Sequence, residues 1–461
     1  MDLGQNCISF LLAVLFGGAI YHWRNNSANV VIALVGYCSL YYIYTSPAII
    51  FGYGEGQTGW LTSQARNKVG MAGALSVLLL FMYVSLSYWK IWASRFRFKY
   101  GLMVLLAAIP MAVGYLCKIR LGESIALEDF SSVTAVIFVL VLLPIVATIT
   151  IADFNNALRR VMPFLVGLLF LVVVFGYYEV ASQKAWAAYP ATNGLWIFKA
   201  SSIFFTPGWF GPWLALIWII QMYAAQSKLV TMTMSVFGLA VNAAGVFIAG
   251  SRATLVVIAI LMLILYLMSD RSDRKQIFIG SVTFVGAFCA SIFVWLTLFT
   301  PHAVASGFHA LGALAERWFA FPTEVVSYIS YKLSVLSASS ASSVPSVPSA
   351  SSVSPEFIAV VEDRVSGGKR DSAFLTVLDH GGWVSFGGIL ALLILWGYNI
   401  LSLLRSNAAS ITKAYAVLLF IDFVAAGIHG RVLQAFPAWL IAGSLVIATS
   451  LWLARTAERL H

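Results

Sequence analysis

Apolar runs long enough to cross a bilayer recur along most of this 461-residue chain. A spanning helix needs about 20 apolar residues, because the hydrocarbon core is roughly 30 Å thick and each helical residue advances about 1.5 Å. Candidate runs occupy 8–23, 28–53, 69–93, 101–118, 130–152, 161–181, 209–226, 228–249, 253–269, 277–300, 382–404, 413–428 and 432–454. The runs 8–23 and 413–428 are the shortest. The alternating ten-residue strands of a barrel are missing, so helices are the expected spanning elements. Composition agrees with this reading. Charged residues are 10% of the chain, against about 25% in an ordinary soluble domain. Hydrophobic residues are 61% and mean hydropathy is +0.89. A soluble fold of this size could not hide so much apolar surface, and the same composition excludes disorder, collagen and coiled coil. The expected fold is all-α: a polytopic membrane bundle with thirteen transmembrane helices, one for each run.

Three regions follow from the spacing of the runs. Residues 1–300 form an N-terminal transmembrane bundle, 301–371 a long loop, and 372–461 the C-terminal transmembrane helices. The loop opens with a helix-like stretch over 309–333, where Leu311, Leu314, Trp318, Val325 and Ile329 fall near helical spacing. Residues 337–354 are Ser-rich and read as an irregular linker or as a flap over a site. Cys7, Cys38, Cys117 and Cys289 lie in or beside apolar runs, without metal or disulfide spacing, and read as packing residues. The first run lacks a basic leader and a small-residue cleavage site, so it is expected to stay as a membrane helix.

Loop charges set the expected direction. Lys90, Arg95, Arg97 and Lys99 occur together without an acid, which marks a cytoplasmic loop. Counting spans from there puts Arg159/Arg160, Lys228, Arg271/Arg274/Lys275 and Arg405/Lys413 on the cytoplasmic side, with Arg455 and Arg459 in the tail. Glu123, Glu128, Asp129 and the loop 301–371 fall outside. Most of the net charge of +10 is therefore topological. No basic patch of any length exists, so a nucleic-acid partner is not expected.

The remaining basic residues lie on the outer side, against the bias. Arg252 follows Gly250-Ser251 in a tight connection, and Arg431 sits in the short turn His429-Gly430-Arg431. Lys199 lies in the outer segment 182–208, and Arg317, Lys369 and Arg370 lie in the long loop. Basic groups converging on an outer face suit an anionic ligand, with a lipid diphosphate the natural one in a membrane. The plainer alternative for each is a snorkelling interfacial side chain. Acids add to the picture. Asp371 precedes an apolar run, where it is either an N-cap or a group that orients an attacking hydroxyl. His380, after Asp379, is either interfacial or catalytic. Asp422 lies within a span, as a buried hydrogen-bonding group or a proton relay. The chain has no Walker A loop, no GxGxxG on a strand–helix turn, no metal-spaced His/Cys cluster and no Asp-x-Asp pair. Soluble nucleotide donors, cofactors and metals are therefore not expected.

Three stretches resemble the O-antigen polymerase and ligase superfamily of bacterial inner membranes. Lys199-Ala-Ser-Ser-Ile-Phe-Phe-Thr-Pro207-Gly208 is similar to its basic residue followed by a Pro-Asn pair at a helix start. Gly250-Ser251-Arg252-Ala-Thr resembles its Ser-Arg helix start. Gly367-Gly368-Lys369-Arg370-Asp371-Ser372-Ala-Phe-Leu, with Gly382-Trp-Val-Ser385 beyond it, resembles the stretch that closes its long periplasmic loop. The chain departs from the pattern at Lys199, where Arg is usual, and at Gly208, where Asn is common. Asp371 stands where ligases carry histidine, which favours a polymerase.

The resemblance implies a GT-C-like membrane glycosyltransferase working on the periplasmic face of the inner membrane in polysaccharide or lipopolysaccharide biosynthesis. Donor and acceptor would be glycans on undecaprenyl diphosphate, handled without a metal, with a chain-length regulator protein as a further partner. Arg252 and Arg431 would stabilise the leaving diphosphate. Lys199, Arg317, Lys369 and Arg370 would bind substrate, and Asp371 or His380 would orient or deprotonate the acceptor. Two other readings stay open at this level. One is a ligase moving the finished glycan to lipid A core. The other is a lipid or polysaccharide transporter, for which Asp422, Asn242 and Glu179 would be the polar residues in the spans.

Overall fold

The structure, a computed structural model, describes residues 151–181, 187–190, 196–200, 207–298 and 373–429, with scattered positions between 11 and 29 and between 109 and 117. Its elements are α1 (Ile151–Ala181), β1 (Ala187–Pro190), β2 (Trp196–Lys199), α2 (Pro207–Gln226), α3 (Met232–Ala249), α4 (Arg252–Met268), α5 (Arg271–Leu298), α6 (Ala373–Arg405) and α7 (Ser410–His429). Five stretches are long and apolar enough to cross a membrane: Ala152–Tyr178, Met232–Ala249, Asp273–Trp295, Gly382–Arg405 and Ser410–Ile428. The span Ala253–Met268 is apolar but shorter. The described part is thus a membrane helix bundle. The expected runs 69–93 and 432–454, and the loop 301–371, lie outside the described residues, as do most positions of 28–53 and 130–152.

The helices pack around α2 and α3. α2 touches α1, α3, α4, α5 and α7, and α3 also packs on α1 and α5. Phe210, Leu214 and Trp218 of α2 and Ala243 and Val246 of α3 are fully buried. Large apolar side chains on the outer helices point the other way: Leu171 of α1, Leu267 of α4, Phe293 of α5 and Ile394 of α6 are all exposed. Such an exterior suits lipid, where apolar exposure carries no hydrophobic penalty.

Successive helices alternate in direction. Tyr223 near the end of α2 donates to Asn155 Oδ1 near the start of α1 at 3.0 Å. Ser410 Oγ at the start of α7 donates to Asp270 Oδ2 between α4 and α5 at 2.7 Å. One end of the bundle therefore gathers Lys228, Arg271, Arg274 and Lys275 with the start of α7. The other gathers the ends of α1, α3 and α7 with the starts of α2, α4 and α6. These are the Lys228 end and the Arg252 end. The connections expected on one side of the membrane do share one end of the fold.

Helix limits differ from the apolar runs in three places. α1 begins at Ile151, so Arg159 and Arg160, expected in a loop, sit on the exposed face of a helix. α5 begins at Arg271, with Asp273 in its first turn, where an acid complements the helix dipole. α6 begins at Ala373 and carries a break at Gly382 (φ 66°, ψ −175°), so Asp379 and His380 belong to a helical segment that precedes the expected span. In each case a helix continues past the stretch that is apolar, because backbone hydrogen bonding does not stop where hydrophobicity does. The expectation of a purely helical fold also needs one amendment. β1 and β2 form an antiparallel hairpin with Ala187 opposite Lys199 and Pro190 opposite Trp196. The connecting sequence contains Asn193-Gly194, a dipeptide suited to hairpin turns.

Candidate functional site at the Arg252 end

The connection from α3 to α4 takes two residues. Gly250 is left-handed (φ 58°, ψ 25°), and its N–H donates to Phe247 O to close α3. Glycine reaches this conformation without the Cβ penalty, which is why it ends helices so often. Ser251 then caps α4: its Oγ accepts from Thr254 N at 3.4 Å and lies 2.8 Å from Thr254 Oγ1. Arg252 is consequently the first residue of α4. A cation there opposes the helix dipole, an effect of about 0.3–1 kcal/mol. An anion bound at the same place would reverse that sign, since a helix N-terminus and a guanidinium both attract it.

Other elements close around this joint. Ala200, fully buried, donates its N–H to Ile248 O at 3.0 Å. That bond ties the end of β2 to the end of α3, and so brings the backbone at Lys199 to the helix end that leads into Arg252. Gly176 of α1 makes room for it: a Cβ there would lie 3.3 Å from Ala200 Cβ. On α2, a Cβ at Gly211 would meet Ser251 Oγ at 2.7 Å and Ser251 Cβ at 2.8 Å, with Thr254 Oγ1 closer still. Glycine at 211 is what lets α2 lie against the cap of α4.

A cavity of about 100 Å³ opens beside the cap. Pro212 and Ala215 of α2, Ser251, Ala253, Thr254 and Val257 of the joint and α4, and Asp422, Ala425 and Ala426 of α7 line it. Asp422 is 5% exposed. A carboxyl this deep between helices is costly in an apolar medium, and such residues tend to face a cavity or a partner. Here it faces a polar corner built by the Ser251 and Thr254 hydroxyls. One turn further along α7, Gly427 lies under the Phe374 ring, where an added Cβ would meet Cε2 at 2.7 Å and Cε1 at 2.8 Å. This contact docks the start of α6 on the end of α7. Asp371 stands two residues before α6 in sequence, and Arg431 two residues after α7.

Parts of all three stretches that the sequence singled out fall at the Arg252 end of the bundle. Lys199 lies in β2, Arg252 opens α4, and His380 lies in α6 just before the break at Gly382. Arg317, Lys369, Arg370, Asp371 and Arg431 lie outside the described residues. Comparison with protein-family models, with curated proteins and with solved structures gives no match for this chain.

Sequence reading alone did not single out Thr254 or Gly211. Ser251 before an apolar run is an N-cap signal, but position 254 is not the Glu or Gln of a capping box, and nothing local to Gly211 reveals what packs on it. Asn242, one of the polar residues a transporter would need, is fully buried and donates Nδ2–H to Leu214 O at 3.0 Å. It joins α2 to α3 and lines neither this cavity nor the one at the other end.

Proposed function

We propose that this chain is a polysaccharide polymerase, a glycosyltransferase that joins oligosaccharide repeat units carried on a polyprenyl diphosphate. The observation that carries the reading is the convergence at the Arg252 end. The Ser251 cap that precedes Arg252 lines a cavity shared with Asp422, the strand carrying Lys199 is tied through Ala200 to the end of the preceding helix, and the start of α6 docks on the end of α7. These are the stretches on which the sequence resemblance rests.

The proposed reaction breaks the bond between the anomeric carbon of the growing glycan and its diphosphate. It forms a bond from that carbon to a hydroxyl of the incoming unit. The hydroxyl proton passes to a base, Asp371 or His380, and the lipid diphosphate leaves with the electron pair. Charge develops on the diphosphate oxygens, where Arg252 at a helix N-terminus is suited to receive it. Arg431 would share that task, and Lys199, Arg317, Lys369 and Arg370 would hold the substrates. The Arg252 end would face the periplasm of a bacterial inner membrane, where lipid-linked units and a chain-length regulator would be met.

Arg252→Ala tests the assignment. Cells carrying it should make single-repeat products and normal amounts of protein but no long glycan ladder. An unaltered ladder overturns the reading. Full-length polymer retained on its lipid carrier would instead identify a ligase.

A further inference from the structure

A second cavity, of about 220 Å³, lies at the Lys228 end. Its walls come from the last turn of α2, the α2–α3 joint, the first turns of α3 and the second and third turns of α5. Met222, Met232, Leu239 and Ile279 give it apolar sides, and Gln226, Lys228, Ser235 and Gln276 give it polar ones. Gln226 is 7% exposed, and neither Nε2 nor Oε1 of its amide has a hydrogen-bond partner. Gln276 Oε1 is buried and unpartnered as well. Leaving a buried donor unsatisfied is unfavourable, so the Gln226 Nε2–H asks for an acceptor, while the two Oε1 atoms ask for a donor such as water.

Three further observations define that occupant. Lys228 is the one non-glycine with positive φ among the described residues, at φ 54°. Glycine or asparagine is the usual choice for such a position, yet a lysine stands there, at the rim of the cavity. No acidic side chain lines the cavity among the described residues. Its depth is also small: Gln276 lies three residues into the apolar stretch Asp273–Trp295, about 4.5 Å along the helix from its start.

We propose that this cavity binds a phosphate group, either the phosphodiester of an anionic lipid headgroup or free phosphate. The Lys228 ammonium, the Gln226 Nε2–H and the Ser235 hydroxyl act as its donors. The nearby Arg274 is already engaged, since its Nε donates to Ser269 O at 3.2 Å and its guanidinium lies over the Tyr266 ring. The binding is independent of the reaction at the other end.

The test is thermal unfolding of the purified full chain in detergent. It is titrated in one arm with phosphatidylglycerol and in the other with inorganic phosphate, with phosphatidylcholine as the uncharged reference. A saturable rise in Tm with phosphatidylglycerol but not phosphatidylcholine identifies a lipid site, and a rise with inorganic phosphate identifies a free-phosphate site. Two variants then separate binding from folding. Lys228→Gly relieves the left-handed backbone, so its ligand-free Tm should rise while its half-saturation weakens about tenfold, as loss of one charge-assisted hydrogen bond implies. Gln226→Leu removes the orphaned amide, so it should keep or raise the ligand-free Tm and lose the ligand-induced rise. No ligand-induced rise in the unmodified chain, or an equal rise in both variants, overturns the proposal and leaves the cavity to water.

Discussion

The two ends of the bundle are packed by different means. At the Arg252 end, helices approach through glycines set against groups that cannot move. Gly211 faces a serine and a threonine fixed in a helix cap, and Gly427 faces a phenylalanine ring. At the Lys228 end, glycines face the tips of flexible chains. A Cβ at Gly280 would lie 3.0 Å from Met222 Sδ, and one at Gly238 would lie 2.8 Å from Gln221 Nε2. The cavities follow suit: about 100 Å³ with short hydroxyls and a carboxyl at one end, about 220 Å³ with long amides and thioethers at the other. Close packing fixes atoms where reaction geometry would need them fixed, whereas long side chains can shift to admit a group of variable shape.

This contrast can be broken by substitution. The largest effect is expected from Gly211→Ala. The new methyl meets Ser251 and Thr254, and overpacking of this kind costs about 1–3 kcal/mol. It also displaces the cap that positions Arg252. Chemical or thermal unfolding in detergent should register the loss of stability, and glycan gels should show shortened or absent ladders. Ser251→Ala removes only the cap, at about 0.5–2 kcal/mol. It should lower stability less than Gly211→Ala while still shortening chains, which the same two measurements will show. Gly280→Ala should be the mildest, within about 0.5 kcal/mol, because the methionine opposite can turn aside. An equal cost at 280 and 211 would erase the distinction between the two ends.

Much of this was legible in the sequence, for physical reasons that differ from one residue to the next. Among the described residues hydrophobicity located five spans, because lipid demands it of every exposed face. Gly250-Ser251 announced a helix end followed by a helix start, because left-handed backbone and capping hydroxyls are properties of single residues. Among the described residues, Lys228, Arg271, Arg274 and Lys275, expected on one side, do share one end of the bundle with the start of α7. Where hydrophobicity and helix diverge, the sequence misled. Arg159 and Arg160 looked like a loop and are helical, and the apolar run was expected to open at 382, whereas Gly382 interrupts a helix that starts at Ala373. Asp422 was recognisable as an unusual residue in a span, but its place beside Ser251 depends on α4 packing against α7, more than 150 residues apart in the chain. Likewise, Gln226 and Gln276 are separated by a complete helical hairpin, and neither carries a local sign of the cavity they share.

The brevity of the Gly250-Ser251 joint turns α3 into a ruler. Nothing between the two helices can take up slack, so the length of α3 alone dictates both how high Arg252 stands and which way the start of α4 faces. Removing one residue from α3 would draw the joint down by about 1.5 Å and swing it through roughly 100°. Drift in the length of this helix would therefore turn the start of α4 out of register with α2, which packs on its cap.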